Sequence, residues 1–132
     1  MLVLDSSAAI HALAHRPANP ELIRRLVAES DLSAPHLIDI ELLHALRRLV
    51  RTGKITRERA DDVRGDFDEL PIVRYPHVGV TNRIWALRHN LTAYDAAYVA
   101  LAEALGCPLV TSDERIGKAS NHAATVEVYP HG

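Results

Sequence analysis

Short apolar runs alternate with longer amphipathic stretches from one end of the chain to the other. Leu2-Val3-Leu4 is the first run, the length of a buried strand, and a helical stretch follows through Ala8, Ala9, Ile10 and Leu13. Asn19-Pro20-Glu21 has the order of an N-cap, a proline at the first helical position and a first-turn acid. A second helix is therefore predicted there, with Leu22, Ile23, Leu26 and Val27 on its inner face. Leu32-Ser33-Ala34, closed by Pro35, reads as a second strand. A long helix is expected from about Leu37 to Thr52, stopped by Gly53. At helical spacing, Leu37, Ile40, Leu43 and Leu46 or Val50 turn inward, while Glu41, His44, Arg48 and Arg51 share a polar stripe. Thr56 opens another helix that reaches Leu70, and Ile72-Val73-Arg74-Tyr75 is the next strand. Val80 to His89 is read as a helix ended by Asn90, with Trp85 in the core beside Val80, Ile84 and Leu87. Thr92 begins the most regular helix, which ends at Gly106. Pro108-Leu109-Val110-Thr111 and Val126-Glu127-Val128 complete the strands.

Strands that alternate with helices imply a parallel sheet covered on both faces. In such folds ligands sit beyond the carboxyl ends of the strands. The chain has 132 residues and shows no repeat or linker, so residues 1–132 are expected to form a single domain. Apolar residues make up 48% and charged residues 24%, the balance of a soluble globular domain, which excludes a disordered tail or a disulfide scaffold. No apolar run approaches the ~18 residues of a membrane span. The opening Met-Leu-Val-Leu-Asp lacks the basic and apolar regions of a signal peptide. One cysteine, Cys107, cannot form an internal disulfide; it is expected to be an inert buried thiol in a reducing cytoplasm. Fifteen basic residues face 17 acidic ones, a net charge of −2 with histidines neutral. Binding nucleic acid by bulk charge is thereby excluded; a local patch, or metal ions held by carboxylates, would have to do it.

The acids carry the candidate chemistry. Asp5 directly follows the first strand, and Asp113 follows Leu109-Val110-Thr111 by two positions. Each, taken singly, is explained as the cap of the next helix. Glu41 falls in the second turn of the long helix and has no basic residue at position 45 to pair with, whereas Asp39 suits the helix dipole. Thr92-Ala93-Tyr94-Asp95 has the spacing of a capping box, which does not prevent Asp95 from also binding a metal. Jointly the four are harder to explain. Four carboxylates on four elements, all expected near one end of the sheet, repel one another unless a cation lies between them. Oxygen ligands of this kind suit Mg2+ or Mn2+ rather than zinc. The reaction such a centre serves is phosphodiester hydrolysis.

These segments together resemble a PIN domain, and among PIN domains the VapC toxin ribonucleases of bacterial VapBC toxin–antitoxin pairs. The resemblance rests on Leu2-Val3-Leu4-Asp5-Ser6-Ser7, Pro35-His36-Leu37-Ile38-Asp39-Ile40-Glu41, the run Thr92-Ala93-Tyr94-Asp95 through Ala102, and Leu109-Val110-Thr111-Ser112-Asp113, in that order. It implies a three-layer α/β/α sandwich around a mainly parallel sheet. It also implies a Mg2+-dependent endoribonuclease, with Mn2+ able to substitute, that leaves a 5′-phosphate. The family's metal-binding acids fall on Asp5, Glu41, Asp95 and Asp113, and its two small hydroxyl residues on Ser7 and Thr111. Both hydroxyls are placed to donate to a carboxylate oxygen and hold its rotamer. The resemblance further implies a cytoplasmic homodimer and a VapB-type antitoxin whose tail fills the active-site groove. RNA is the implied substrate, with DNA touched only through the antitoxin.

Other features have plainer readings. Arg47, Arg48, Arg51, Lys54, Arg57 and Arg59 form the one dense basic stretch. It is either a solubilising helix end or, through Arg48 and Arg51, a local patch for RNA phosphates. His11 and His15 are four apart, but no third metal ligand is evident, so they read as a solvated pair. Asp61, Asp62, Asp66, Asp68 and Glu69 read as a solvated helix face. Three competing functions remain. An aspartyl-phosphate phosphatase would need an acid where Ser7 stands, and a dinucleotide-binding domain would need a Gly-x-Gly-x-x-Gly after the first strand. A catalytically inactive PIN-like module that binds RNA or protein is disfavoured by the complete set of acids.

Overall fold

Three of the five strands are only three residues long, and the two central ones, unlike the half-buried strand at the edge, are wholly buried. The computed structural model, which describes residues 1–131, places β1 (Leu2–Leu4) at the centre of a sheet with all three side chains inaccessible. Around it lie β2 (Leu32–Pro35), β3 (Ile72–Tyr75), β4 (Leu109–Thr111) and β5 (Val126–Val128). The order is β3-β2-β1-β4-β5, and all four pairings are parallel. β1 and β4, each flanked by strands on both sides, are buried at every residue, and only Thr111 at the end of β4 is polar, the pattern of a sheet covered on both faces.

The chain moves outward from β1 through β2 to β3, then crosses back to β4 and β5. Right-handed crossovers put the helices of these two journeys on opposite faces. α1 (Ser6–Ala14), α2 (Pro20–Val27), α3 (Leu37–Arg51) and α4 (Arg57–Asp68) belong to the first. Of these, α1, α3 and α4 pack on one another. α5 (Thr81–Ala86), α6 (Ala93–Leu105) and α7 (Glu114–Lys118) belong to the second, with α6 lying across β1, β2 and β4. The result is the expected three-layer sandwich. Every residue from Ala96 to Ala102 on α6 is buried, as befits a helix that is apolar all round. Strand order reverses between β1 and β4, so the crevice beyond their carboxyl ends is the natural ligand site.

Local signals hold where they are chemical. Asn19, Thr56 and Thr92 each cap the following helix by accepting a backbone N–H, and Gly53 and Gly106 take the left-handed conformation after α3 and α6. Helix faces were less readable. On α3 the buried residues are Ile38, Leu42 and Leu46, whereas Ile40 and Leu43 are exposed. Apolar residues stand at nine of its fifteen positions, so several stripes compete and tertiary packing chooses among them. On α2 only Leu22 is fully buried, and Val27 is exposed. The segment expected as one helix from Val80 to His89 is a 3-10 turn (Val78–Val80), the short α5 and a further turn. Trp85 is not core. It is exposed, with the Arg88 guanidinium 4.4 Å from its ring centroid; Leu87 takes the buried position.

Gly117 on α7 approaches β5 closely enough that a Cβ there would lie 2.5 Å from Val128 Cγ2. Gly117→Ala is expected to cost about 1–3 kcal/mol, the usual range for overpacking, read as a lower denaturation midpoint with an unchanged slope.

Candidate active site

Asp5 leaves β1 at the point where strand order reverses, and the turn into α1 begins there. It occupies the N-cap position of α1 but makes no side-chain cap. Its carboxyl group is instead turned into the protein, with the residue only 3% exposed. Thr111 Oγ1 donates to its Oδ2 at 2.7 Å, and Ser7 Oγ donates to the same oxygen. Donor counting fixes the direction. Thr111 Oγ1 also accepts the Asp113 N–H at 3.0 Å, and Ser7 Oγ accepts the Ser112 N–H at 3.0 Å. Each hydroxyl therefore spends its single proton on Asp5. Burial pushes the Asp5 carboxyl up to about 6 against the pull of these two hydrogen bonds, with smaller upward contributions from Asp95 and Glu41.

Glu41, on the second turn of α3, is held from two other elements. Tyr98 Oη donates to its Oε1 at 2.6 Å and Ser6 Oγ to the same oxygen at 3.1 Å. Tyr98 is fully buried, and that burial, followed by the Glu41 contact, raises its pKa, so it stays a donor. Asp95 sits in the first turn of α6, where its backbone N–H donates to Thr92 Oγ1 at 3.2 Å. Burial chiefly, then the charge of Asp113, raises the Asp95 pKa, with Arg115 and Thr92 opposing. Asp113 caps α7 by accepting the Arg115 N–H at 2.9 Å. The Arg115 guanidinium grips its two oxygens at 2.7 and 3.1 Å and holds its pKa below the usual carboxylate range.

The carboxylates thus act on one another through space: Asp95 and Glu41 on Asp5, and Asp113 on Asp95. Oxygen donors of this charge fit a hard divalent cation, which would offset both the burial that chiefly raises the Asp5 and Asp95 pKa values and the smaller repulsion among the acids. The arrangement is open. Among the described residues, no group of three or more His, Cys, Asp or Glu side chains closes into a metal cage. Arg115 on Asp113 is the positive charge actually present.

Of the two hydroxyls singled out in the sequence, Ser7 and Thr111 both lie at Asp5 and donate to its Oδ2. Arg48 and Arg51 are exposed near the far end of α3, roughly 10 and 15 Å of helix rise beyond Glu41, away from the acids. His11 is not a solvated partner of His15: it is wholly buried, and its ring stacks on His131 at 4.4 Å. Asp39 does more than face the helix dipole, since Arg74 holds both its oxygens at 2.7 Å. Sequence reasoning passed over Ser6, Tyr98 and Arg115 as site residues. Arg115 had a local signal, two positions after an acid; the other two reach Glu41 from 35 and 57 positions away and had none.

With this geometry in place, the model of the PIN domain family matches residues 2–121. The chain belongs to the PIN domain family. The PIN domain is 42% identical to the VapC ribonuclease Mb0985 of Mycobacterium bovis, with 98% of this chain and 99% of the relative covered. It is 46% identical to ribonuclease VapC1 of Mycobacterium tuberculosis, over 89% of each chain. Among solved structures it is similar to VapBC2 of Rickettsia felis bound to a promoter DNA fragment, with a TM-score of 0.67 and 96% of both chains covered. At 15% identity that likeness shows the fold alone.

Proposed function

We propose that this PIN domain is a divalent-metal-dependent endoribonuclease, the toxin half of a toxin–antitoxin pair. The observation that carries the reading is a buried Asp5 at the topological switch point, receiving two hydroxyl protons and electrostatically linked to Asp95 and Glu41. A buried, hydrogen-bonded carboxylate among other carboxylates is a poor structural device and a good cation ligand. The VapC relatives, named ribonucleases, supply the substrate class.

Asp5, Glu41, Asp95 and Asp113 would hold Mg2+, or Mn2+ in its place. When bound, the cation supplies an activated water and offsets the charge that develops on the phosphate. The chain's own contribution is positioning. Ser7 and Thr111 fix the rotamer of Asp5, Tyr98 and Ser6 fix Glu41, and the Asp113 cap fixes the fourth acid at the mouth of α7. Tyr98→Phe removes one donor without changing ring volume. It is expected to lower metal affinity and RNA cleavage about 10–100-fold in a protein whose far-ultraviolet spectrum is unchanged. Arg48 and Arg51 are proposed to meet RNA phosphates beyond the scissile one. Charge reversal at both should weaken RNA binding and flatten its salt dependence; an unchanged salt slope would leave them as solubilising residues.

The proposal includes a cytoplasmic homodimer and a VapB-type antitoxin, with DNA contacted only through the antitoxin. Arg115 shows how a guanidinium seats on Asp113, and an antitoxin arginine placed there would compete with metal and RNA together. The function is tested by incubating the purified chain with RNA. Fragments bearing 5′-phosphates are expected in Mg2+ and none in excess EDTA; fragments that persist in EDTA would overturn the reading.

A further inference from the structure

A recess of about 510 Å3 opens beside Asp113, lined by Ser7, Ser112, Asp113, Glu114, Arg115, Pro130 and His131, so two carboxylates and one guanidinium share its wall. Its volume lies within the roughly 300–1,000 Å3 of small-molecule sites. Two of its wall residues, Ser7 and Asp113, belong to the acid centre, so whatever fills it lies next to the reacting bond.

The wall of this recess holds a donor with nothing to donate to. The backbone N–H of Asn19 donates to His11 Nε2 at 3.0 Å, which makes Nε2 the acceptor of the neutral ring. The proton then resides on Nδ1, which lies 3.2 Å from Ser112 Oγ and donates to it. His11 is buried and held neutral: burial chiefly, then His131 and His15, lowers its pKa to about 4. Ser112 is itself only 5% exposed, and its Oγ makes no hydrogen bond among the described residues other than the one to His11. The Ser112 hydroxyl proton is therefore free for an acceptor in the recess. Arg115 lines the same recess, with its side chain 82% exposed and its guanidinium paired with Asp113.

We infer that this recess is a nucleotide subsite, which takes the nucleotide adjoining the cleaved bond. Its phosphate accepts from Ser112 Oγ and from Arg115, and its sugar and base lie toward Pro130 and His131. A buried hydroxyl that accepts from His11 and has its own proton unspent favours an oxygen acceptor, and the Arg115 guanidinium can meet an anion once a cation at the acids takes over Asp113 and offsets the Glu114 charge. The inference rests on the ribonuclease reading for the identity of the ligand, since RNA presents such a phosphate at every step. His11 acts through Ser112 as a positioning residue: it sets which way the serine proton points.

The test uses the full chain in Mg2+, titrated with a mixture of nucleoside 5′-monophosphates and followed by amide and guanidinium NMR shifts. Saturable shifts centred on Ser112, Arg115 and His131 are expected, at concentrations well below those at which inorganic phosphate produces them. Arg115→Ala, an exposed change that leaves the core untouched, should weaken nucleotide binding at least ~10-fold, about the contribution of one charge-assisted contact. Ser112→Ala should weaken it as well, and Ser112→Thr, which keeps the hydroxyl, should restore it. Shifts confined to other parts of the molecule, or full affinity in Arg115→Ala, would overturn the inference while leaving the ribonuclease reading intact. Nucleotide binding at these residues in a protein that cleaves no RNA would uphold the subsite and overturn the ribonuclease reading.

Discussion

Asp95→Asn should abolish most RNA cleavage and barely change the melting temperature. The two effects separate because Asp95 has two jobs with different needs. As a first-turn residue of α6 it contributes its backbone N–H to Thr92 Oγ1, which the substitution does not touch. The loss of its charge from the helix N-terminus is worth ~0.3–1 kcal/mol, and removing a carboxylate that burial and Asp113 destabilise returns part of that. As a metal ligand, however, an amide oxygen carries no formal charge and is a poorer partner for Mg2+. Thr92→Ala should do the reverse, costing about 0.5–2 kcal/mol of stability while retaining much of the activity. Cleavage assays and thermal melts on the two purified variants check both halves. Wild-type cleavage by a folded Asp95→Asn protein would reduce Asp95 to a helix residue.

Asp5→Asn should be more stable than the wild type at neutral pH and inactive. The Asp5 carboxyl has a pKa of about 6 in the fold against its ordinary 3.8, so the folded protein holds this proton more tightly than the unfolded chain does. The sign follows: the raised pKa favours the fold below pH 4, and that advantage disappears as pH rises through 6. At pH 7 the buried charge costs about 2–3 kcal/mol. An asparagine keeps an oxygen that accepts from Ser7 and Thr111 and carries no charge to bury. The stability difference between variant and wild type is therefore expected to be greatest above pH 6 and to vanish near pH 4. His11 contributes the opposite slope in both proteins. Its pKa is lowered to about 4, so its stabilising effect is complete above 6.5 and lost as pH falls toward 4. The wild type should accordingly show a flatter acid limb than Asp5→Asn. Urea titrations across this pH range measure both. An Asp5→Asn variant less stable than the wild type at pH 7 would contradict the burial argument.

What the sequence made legible was mostly local or periodic. The short runs at 2–4 and 109–111, followed by an acid one and two positions later, were enough to place two parallel strands and the crevice between them. The caps at Asn19, Thr56 and Thr92 are two- and three-residue signals, and they hold. What stayed hidden depends on contacts between distant parts of the chain. Taken singly, Asp5 looked like a cap; of its two partners Thr111 is 106 positions away, and only the family resemblance pointed to it. Glu41 looked solvated because Tyr98 and Ser6 lie on other elements. The Asp39–Arg74 pair spans 35 positions and joins α3 to β3. Trp85 was expected in the core from its apolar neighbours, but Trp85 and Leu87 are two positions apart, about 200° around a helix, so only one of them can face the core, and Leu87 does.

The central claim is that Asp5, Glu41, Asp95 and Asp113 act as one cation site. Its most direct test is Mn2+ titration of the purified chain by electron paramagnetic resonance, which counts the free ion. The wild type should take up Mn2+ with saturation, and each single Asp→Asn or Glu→Gln change should weaken that uptake at least ~10-fold while the fold persists. A wild-type chain that binds no Mn2+, or four variants that bind it as the wild type does, would contradict the claim.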